Sequence, residues 1–217
     1  AEQLYQKILG FSDAEVYGKF STWNATEIER LKLNFHLAAA DYFYQKNQVV
    51  SITIITKVDE DESNTKYAQG GIASVTKSSD SFENHIKDTL IAGDGLCDEG
   101  VVKMVVEQAP ERIKELIDWG TNFDKTTQGD YDLAKEGGHS DNRILHFKDF
   151  TGNEIERALL NKVFNHPYIT VFNHHFAIDI ITQHHLGEKV TRATPNKKCF
   201  GAYVLNRRAG EIKVLKS

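Results

Sequence analysis

The feature that most constrains the fold is an almost continuous run of β-branched and apolar residues from Val49 to Thr56. The run lacks the strict alternation of apolar and polar residues that is typical of a strand with one face in water. Continuous runs of this kind are typical of strands covered on both faces. The sequence therefore predicts a buried strand at this point of the chain.

Helical patterns precede and follow this strand. Residues 1 to about 47 carry apolar residues at helical spacing and only two glycines, which predicts a helical N-terminal segment. Further helices are predicted from Asp80 to Ile91, from Asp98, from Pro110 to Trp119, and from a capping box that begins at Thr151. Strands are predicted at 170–172, 176–182, 199–206 and 211–215. The expected fold class is mixed α/β or α+β, with segment 1–47 helical and 48–217 forming an α/β domain.

Composition excludes several classes of protein. The 217 residues are 40% hydrophobic with a net charge of −5, which argues against a disordered chain and against nucleic acid as the main partner. The two cysteines, Cys97 and Cys199, cannot build a disulfide framework. No apolar run is long enough for a membrane helix, and the first residues do not resemble a signal peptide. These observations predict a soluble cytoplasmic protein.

Two glycine-containing segments are candidates for chemistry. Gln69-Gly70-Gly71 follows the strand and a polar loop, and Glu136-Gly137-Gly138-His139-Ser140 lies in a long irregular region. Glycines allow a ligand to approach the backbone closely, but an ordinary turn or surface loop explains either segment equally well. The pairs His174-His175 and His184-His185 do not predict a metal site, because adjacent strand residues point to opposite faces.

A longer series of motifs resembles the L-aspartate oxidases, members of the succinate dehydrogenase/fumarate reductase flavoprotein family. The matching pieces, in order, are 54–57, 65–73, 88–93, 136–140, 143–146 and 151–152. Their order and spacing follow the family over roughly three quarters of the chain, and together they are far more specific than any one alone. The resemblance implies a partial FAD-binding domain of the fumarate reductase flavoprotein type.

The resemblance also implies an activity and a set of site residues. In that family FAD accepts a hydride from the α-carbon of L-aspartate and gives iminoaspartate for NAD biosynthesis. The residues implied to line FAD are Lys57, Asn64, Thr65, Lys66, Tyr67, Ala68, Gln69, Gly70 and Gly71. Glu136 is implied to orient the substrate, with His139 nearby. Asn64 stands where succinate dehydrogenases carry the histidine that binds flavin covalently, so the flavin is expected to be non-covalent.

The chain departs from the family at both ends. No glycine occurs between Gly18 and Gly70, so the G-x-G-x-x-G turn that binds the FAD pyrophosphate is missing before Ile52. The family's capping domain lies beyond Ser217. We therefore expect a truncated or rearranged form that alone binds FAD weakly or not at all and has no oxidase turnover. The alternative is a non-catalytic α/β scaffold protein. Residues 1–29 show a weaker similarity to the C-terminal helical domain of 6-phosphogluconate dehydrogenase.

Overall fold

The computed structural model describes residues 51–217, which fall into two compact units. The first unit comprises Ser63–Asn165, and the second comprises 51–62 together with His166–Ser217. The predicted helical segment 1–47 and the first two residues of the predicted strand, Val49 and Val50, lie outside the described residues. The mixture of helices and strands confirms the predicted fold class.

The first unit combines three helices with a small antiparallel sheet. Its helices are α1 (Phe82–Ala92), α2 (Glu99–Asp118) and α3 (Thr151–Phe164). Its strands, β2 (Ile72–Ala73), β3 (Leu133–Ala134) and β4 (Ile144–Leu145), pair in the order β2-β4-β3. Both residues of β4 are buried, and buried side chains of α2 and α3 complete the apolar core of this unit. The antiparallel pairing of β2 with β4 thus brings the loop that precedes Ile72 close to the segment that follows Leu145.

Helix α2 is one continuous helix, so the prediction of a separate helix beginning at Pro110 is wrong. Pro110 lies inside the helix, where it removes one backbone donor at a cost of about 3 kcal/mol. Val106, Ile113 and Leu116 flank the proline and are all buried on the same side. Burying such side chains contributes roughly 1.5–3 kcal/mol each, which outweighs the cost of the proline.

Helix α3 begins where the sequence predicts, but the predicted capping box is absent. Phe150 occupies the cap position and makes no side-chain capping bond, while Thr151 is the first helical residue. The Thr151 hydroxyl oxygen instead accepts a hydrogen bond from the Phe147 amide at 3.0 Å. Glu154 accepts from the backbone and side-chain nitrogens of Asn122, both at 2.8 Å. The two polar side chains thus tie α3 to preceding loops.

The second unit is built of strands. The predicted strand is present as β1 (Ile52–Ile55), which pairs in parallel with β5 (Ile169–Phe172). The other three strands, β6 (His175–Thr182), β7 (Cys199–Asn206) and β8 (Glu211–Lys216), form an antiparallel meander as predicted. Burial of β1 on both faces is not found, because Thr53 is exposed and the other three residues are only half-buried. The sheet formed by β1 and β5 has only these two strands within the described residues, which leaves Thr53 open to solvent.

The two histidine pairs lie in turns and at a strand end. His174 has a positive φ of 55° and precedes His175, the first residue of β6. His184 and His185 lie in the single-turn 3-10 helix Gln183–Leu186, not in a strand. Over residues 51–217 no group of three or more histidine, cysteine or carboxylate side chains is arranged to hold a metal ion. Nor does that part of the chain contain a helix long and apolar enough to cross a membrane.

Candidate functional site

The loop that precedes β2 is held against the start of α3. The Ser63 hydroxyl donates to the carboxylate of Glu156 at 2.6 Å, and the amide of Gly152 donates to the carbonyl of Ala68 at 2.9 Å. Glu156 is itself buried. Hydrogen bonds to a buried carboxylate are among the stronger ones in proteins. Residues 63–71, called the anchored loop below, therefore have a defined position on the first unit.

Gly152 makes this anchoring possible. A Cβ atom at this position would overlap with the carbonyl oxygen of Thr65 and would lie 2.8 Å from the Cβ of Ala68. Only a residue without a side chain lets the loop backbone approach the helix this closely. The Thr151-Gly152 pair thus serves close packing rather than capping.

The anchored loop brings one of the predicted substrate residues next to its glycines. A Cβ atom at Gly70 would lie 3.4 Å from Oε1 of Glu136, and both residues are exposed. The Glu136 carboxylate makes no hydrogen bond or ion pair with any residue in the described part of the chain. The amides of Gln69 and Gly70 are likewise unpaired among residues 51–217. This surface therefore offers free backbone donors beside a free carboxylate.

A buried arginine lies under the second glycine segment. The side chain of Arg143 has no exposed surface, and its Nε and Nη2 atoms donate to the two carboxylate oxygens of Asp80 at 2.7 and 2.8 Å. Its Nη1 atom donates to Asp88 at 2.6 Å. The same Asp88 oxygen also accepts from the amide and hydroxyl of Ser140, both at 2.7 Å. The cluster therefore fixes the end of the segment 136–140 against α1.

The charges of this cluster stabilise one another. Burial by itself raises the pKa of Asp88, but the hydrogen bonds from Ser140 and Arg143 outweigh it and lower the pKa to about 2. Burial also raises the pKa of Asp80, but the hydrogen bonds from Arg143 and from the Ser81 amide, together with the charge of Arg143, outweigh burial and lower it. Both carboxylates are thus ionised at neutral pH.

This arrangement predicts a loss of stability in acid. Because the folded pKa of Asp88 lies below its ordinary value of 3.8, its contribution is complete above about pH 4 and is lost as the pH falls towards 2. Asp88 should account for about 2 kcal/mol of this loss, and Asp80 adds to it in the same direction. Urea unfolding followed from pH 5 to pH 2 measures the effect. Asp88→Asn should make the free energy of unfolding less dependent on pH, whereas Asp118→Asn on the exposed side of α2 should not. The same pH dependence in the wild type and in both variants would show that Asp88 is not the group responsible.

His139 lies between the Arg143 cluster and the exposed glycines. Its Nδ1 atom is 3.2 Å from Nη1 of Arg143, and its ring centre is 5.8 Å from that of His85. His85 is buried, and its Nδ1 atom has no hydrogen-bond partner in the described structure. Burial lowers the pKa of His85, and the nearby charge of Arg143 lowers it further, so this imidazole is neutral at pH 7.

The predicted site residues are brought together only in part. Residues 64–71, Glu136 and His139 all belong to the first unit. Lys57 belongs to the second unit, where it is exposed and its carbonyl accepts a hydrogen bond from Arg207 at 2.7 Å. Gly71 does not face open space, because a Cβ there would overlap with Ile144 and with the Leu145 carbonyl of β4. Gly71 therefore serves strand packing.

The cluster around Arg143 was not predicted from the sequence. Arg143 lies within one of the matching motifs, but no role was predicted for it and no contact with Asp80 or Asp88. One signal was available, since a charged residue immediately before the apolar pair Ile144-Leu145 must lie near a buried strand. A buried arginine requires carboxylate partners.

Comparison with known proteins decides the family. The model of the FAD binding domain family matches residues 37–217, well over half of the chain. The chain belongs to the FAD-binding domain family. FAD is accordingly the cofactor of the family, which confirms that part of the prediction made from the sequence motifs.

Curated relatives of this FAD-binding domain are L-aspartate oxidases. The chloroplastic L-aspartate oxidase of Oryza sativa subsp. japonica is 51% identical over 152 residues, covering 70% of this chain and 24% of that protein. The L-aspartate oxidase of Vibrio cholerae is 42% identical over 178 residues, covering 80% of this chain and 32% of that protein. The chain thus spans about a quarter to about a third of the length of these relatives.

Solved structures similar to this FAD-binding domain come from related flavoproteins. A variant of E. coli quinol fumarate reductase superposes with a TM-score of 0.69 at 29% identity, covering 83% of this chain and 29% of that chain. Mycobacterium smegmatis Sdh1 in complex with UQ1 has a TM-score of 0.65 at 25% identity, covering 77% of this chain and 28% of that chain. The resemblance to fumarate reductase and succinate dehydrogenase flavoproteins is confirmed.

The described residues of the first unit fit a part of FAD. The unpaired amides of Gln69 and Gly70 are donors that suit the oxygen atoms of a flavin cofactor. Their loop is anchored before any ligand arrives, which lowers the ordering cost of binding. The anchored loop therefore has both the chemistry and the rigidity for this role.

Proposed function

We propose that this chain carries part of the site of an L-aspartate oxidase-like flavoprotein, in which L-aspartate is oxidised to iminoaspartate with FAD as part of NAD biosynthesis, and that this part alone does not sustain turnover. The observation that carries the proposal is the exposed, unpaired carboxylate of Glu136 beside Gly70 of the anchored loop. The names and identities of the curated relatives support the same substrate. We assign residues 48–217 to the partial FAD-binding-type domain.

The FAD contacts are assigned to Lys57 and to residues 64–71. Bound FAD supplies a hydride acceptor. Asn64 carries an uncharged amide that does not form a covalent bond with a flavin, so the cofactor is held non-covalently. The exposed amides of Gln69 and Gly70 donate hydrogen bonds to it.

Glu136 and His139 are assigned to the substrate. A free carboxylate attracts the ammonium group of an amino acid and so orients its α-carbon. His139 lies three residues further along the same segment, where an imidazole can bind a second polar group of the substrate. Neither residue needs to move a proton for this orienting role.

The experiment is a titration of FAD into the purified chain, followed by addition of L-aspartate. We expect weak, saturable binding of FAD, and then a change in the visible flavin spectrum on addition of L-aspartate without sustained peroxide formation. Glu136→Gln should keep FAD binding and lose the response to L-aspartate. Glu111→Gln, on the exposed side of α2, is the matched control and should retain both.

Each outcome distinguishes the alternatives. A flavin that responds equally in the Glu136→Gln variant would remove Glu136 from the substrate site. Absence of any FAD binding would favour the alternative, a non-catalytic α/β scaffold, which the missing glycines between Gly18 and Gly70 also favour. Sustained peroxide production that is lost in Glu136→Gln would contradict the expected absence of turnover.

A cytoplasmic location is part of the proposal. Its support is that Cys97 and Cys199 are both free thiols. Free cysteines persist in reducing compartments. Localisation of the tagged protein by fluorescence microscopy, with an organelle marker as reference, tests this assignment.

A further inference from the structure

We propose that Arg143 is a positioning residue that holds His139 as the neutral tautomer with its proton on Nε2. In this form His139 presents a hydrogen-bond donor at Nε2, and the group that it recognises is a carboxylate of the substrate. The second half of this inference rests on the function proposed above. The first half concerns the protein without ligands.

The tautomer follows from the hydrogen-bonding capacity of the two side chains. Nη1 of Arg143 lies 3.2 Å from Nδ1 of His139. A guanidinium group has five N–H donors and no acceptor, so the imidazole nitrogen must accept. Nδ1 can accept only through its lone pair, which places the ring proton on Nε2.

Arg143 is held firmly enough to impose this choice. Its Nε and Nη2 atoms form a two-pronged contact with Asp80, and Nη1 also donates to Asp88. The side chains of Arg143 and Asp80 are 0% and 1% exposed. Rotating the guanidinium away from His139 would break these buried, charge-assisted bonds.

No other described group competes for Nδ1 of His139. His85 is the neighbouring ring, but it is neutral at pH 7 and makes no hydrogen bond to His139. The carboxylates of Asp80 and Asp88 are occupied by Arg143 and Ser140. Adding a proton to Nδ1 of a ring that is already protonated on Nε2 would also place a second positive charge against the guanidinium.

The tautomer narrows the substrate class. A histidine with Nδ1 blocked is a donor at Nε2 and cannot accept a proton there. The matching partner is an acceptor, and a carboxylate is the strongest one an amino acid carries. Glu136 attracts an ammonium group, so the two residues together select a substrate that carries both an ammonium and a carboxylate.

The test is nitrogen NMR of the histidine side chains in the chain without FAD or L-aspartate. Histidine is labelled with nitrogen-15, and long-range proton–nitrogen correlations are recorded at a pH where free imidazole is neutral. The His139 signals are assigned by their loss in His139→Gln. We expect a single pattern with Nε2 protonated and Nδ1 unprotonated, unchanged in Glu111→Gln and lost to a tautomer mixture in Arg143→Lys.

The wild-type spectrum alone decides the first half even if Arg143→Lys fails to fold. A protonated Nδ1, or a mixture of tautomers in the wild-type chain, overturns it. The recognition of a substrate carboxylate by His139 is tested by the flavin response to L-aspartate. The apparent affinity for L-aspartate should fall about tenfold in His139→Leu. It should be retained in His139→Gln, because the glutamine amide still donates a hydrogen bond. Equal affinity in both variants would remove His139 from substrate recognition while leaving the tautomer result intact.

Discussion

Replacement of Arg143 by leucine should lower the free energy of unfolding by about 3–5 kcal/mol. The reason is that the fully buried arginine side chain is the counter-charge of Asp80, which is buried, and of Asp88, which is half-buried. Urea unfolding at pH 7, followed by circular dichroism, measures the difference. This is a large part of the stability of an ordinary domain, so much of the variant should be unfolded at 37 °C.

The matched control is Arg208→Leu in the hairpin turn between β7 and β8. Arg208 is exposed and its side chain makes no hydrogen bond within the described structure. Its replacement should change the unfolding free energy by less than about 0.5 kcal/mol. Similar effects of the two substitutions would show that the buried cluster does not stabilise the first unit.

Gly152→Ala should displace the anchored loop and weaken FAD binding at least tenfold. The added methyl group would overlap with the Thr65 carbonyl and lie 2.9 Å from the carbonyl oxygen of Ala68, so the loop must move away from α3. Overpacking of this kind typically costs about 1–3 kcal/mol, and a tenfold loss of affinity corresponds to about 1.4 kcal/mol. Flavin fluorescence titration and urea unfolding measure the two effects.

Gly100→Ala is the control for Gly152→Ala. Gly100 is also the second residue of its helix, α2, but it is exposed and its nearest neighbour would lie 3.3 Å from the added methyl, at the end of the Asp98 side chain. The substitution should leave FAD affinity unchanged and stabilise α2 by up to about 1 kcal/mol. If Gly152→Ala bound FAD as well as Gly100→Ala does, the anchoring of the loop would have no part in cofactor binding.

Local patterns predicted most of the helices and long strands. The segments 199–206 and 211–215 have the composition of strands around a turn, and β7 and β8 form there. The helix start at Pro110 was predicted wrongly. That prediction used only the preference of proline for the first turn of a helix and did not include the burial of Val106, Ile113 and Leu116 on one side of α2. The strands β2, β3 and β4 have two residues each, too few to give a periodic signal.

The candidate site was less predictable, because its contacts join distant parts of the chain. The sequence motifs singled out Gly70 and Glu136 separately, and only the fold places them together. Arg143 meets Asp80 across 63 residues and Asp88 across 55, and no local pattern reports such a pairing. The capping box at Thr151 was predicted wrongly because the Glu154 carboxylate instead accepts from Asn122, 32 residues earlier, and from Arg157.

An FAD titration measures whether the anchored loop of this FAD-binding domain holds FAD. Binding should be saturable and in the micromolar range, because the loop amides remain while the glycine turn for the pyrophosphate is absent from the sequence before Ile52. Gly152→Ala should raise the dissociation constant for FAD at least tenfold, and Gly100→Ala should leave it unchanged. Failure of flavin fluorescence to change at any FAD concentration, or equal affinities in all three proteins, would contradict this role of the anchored loop.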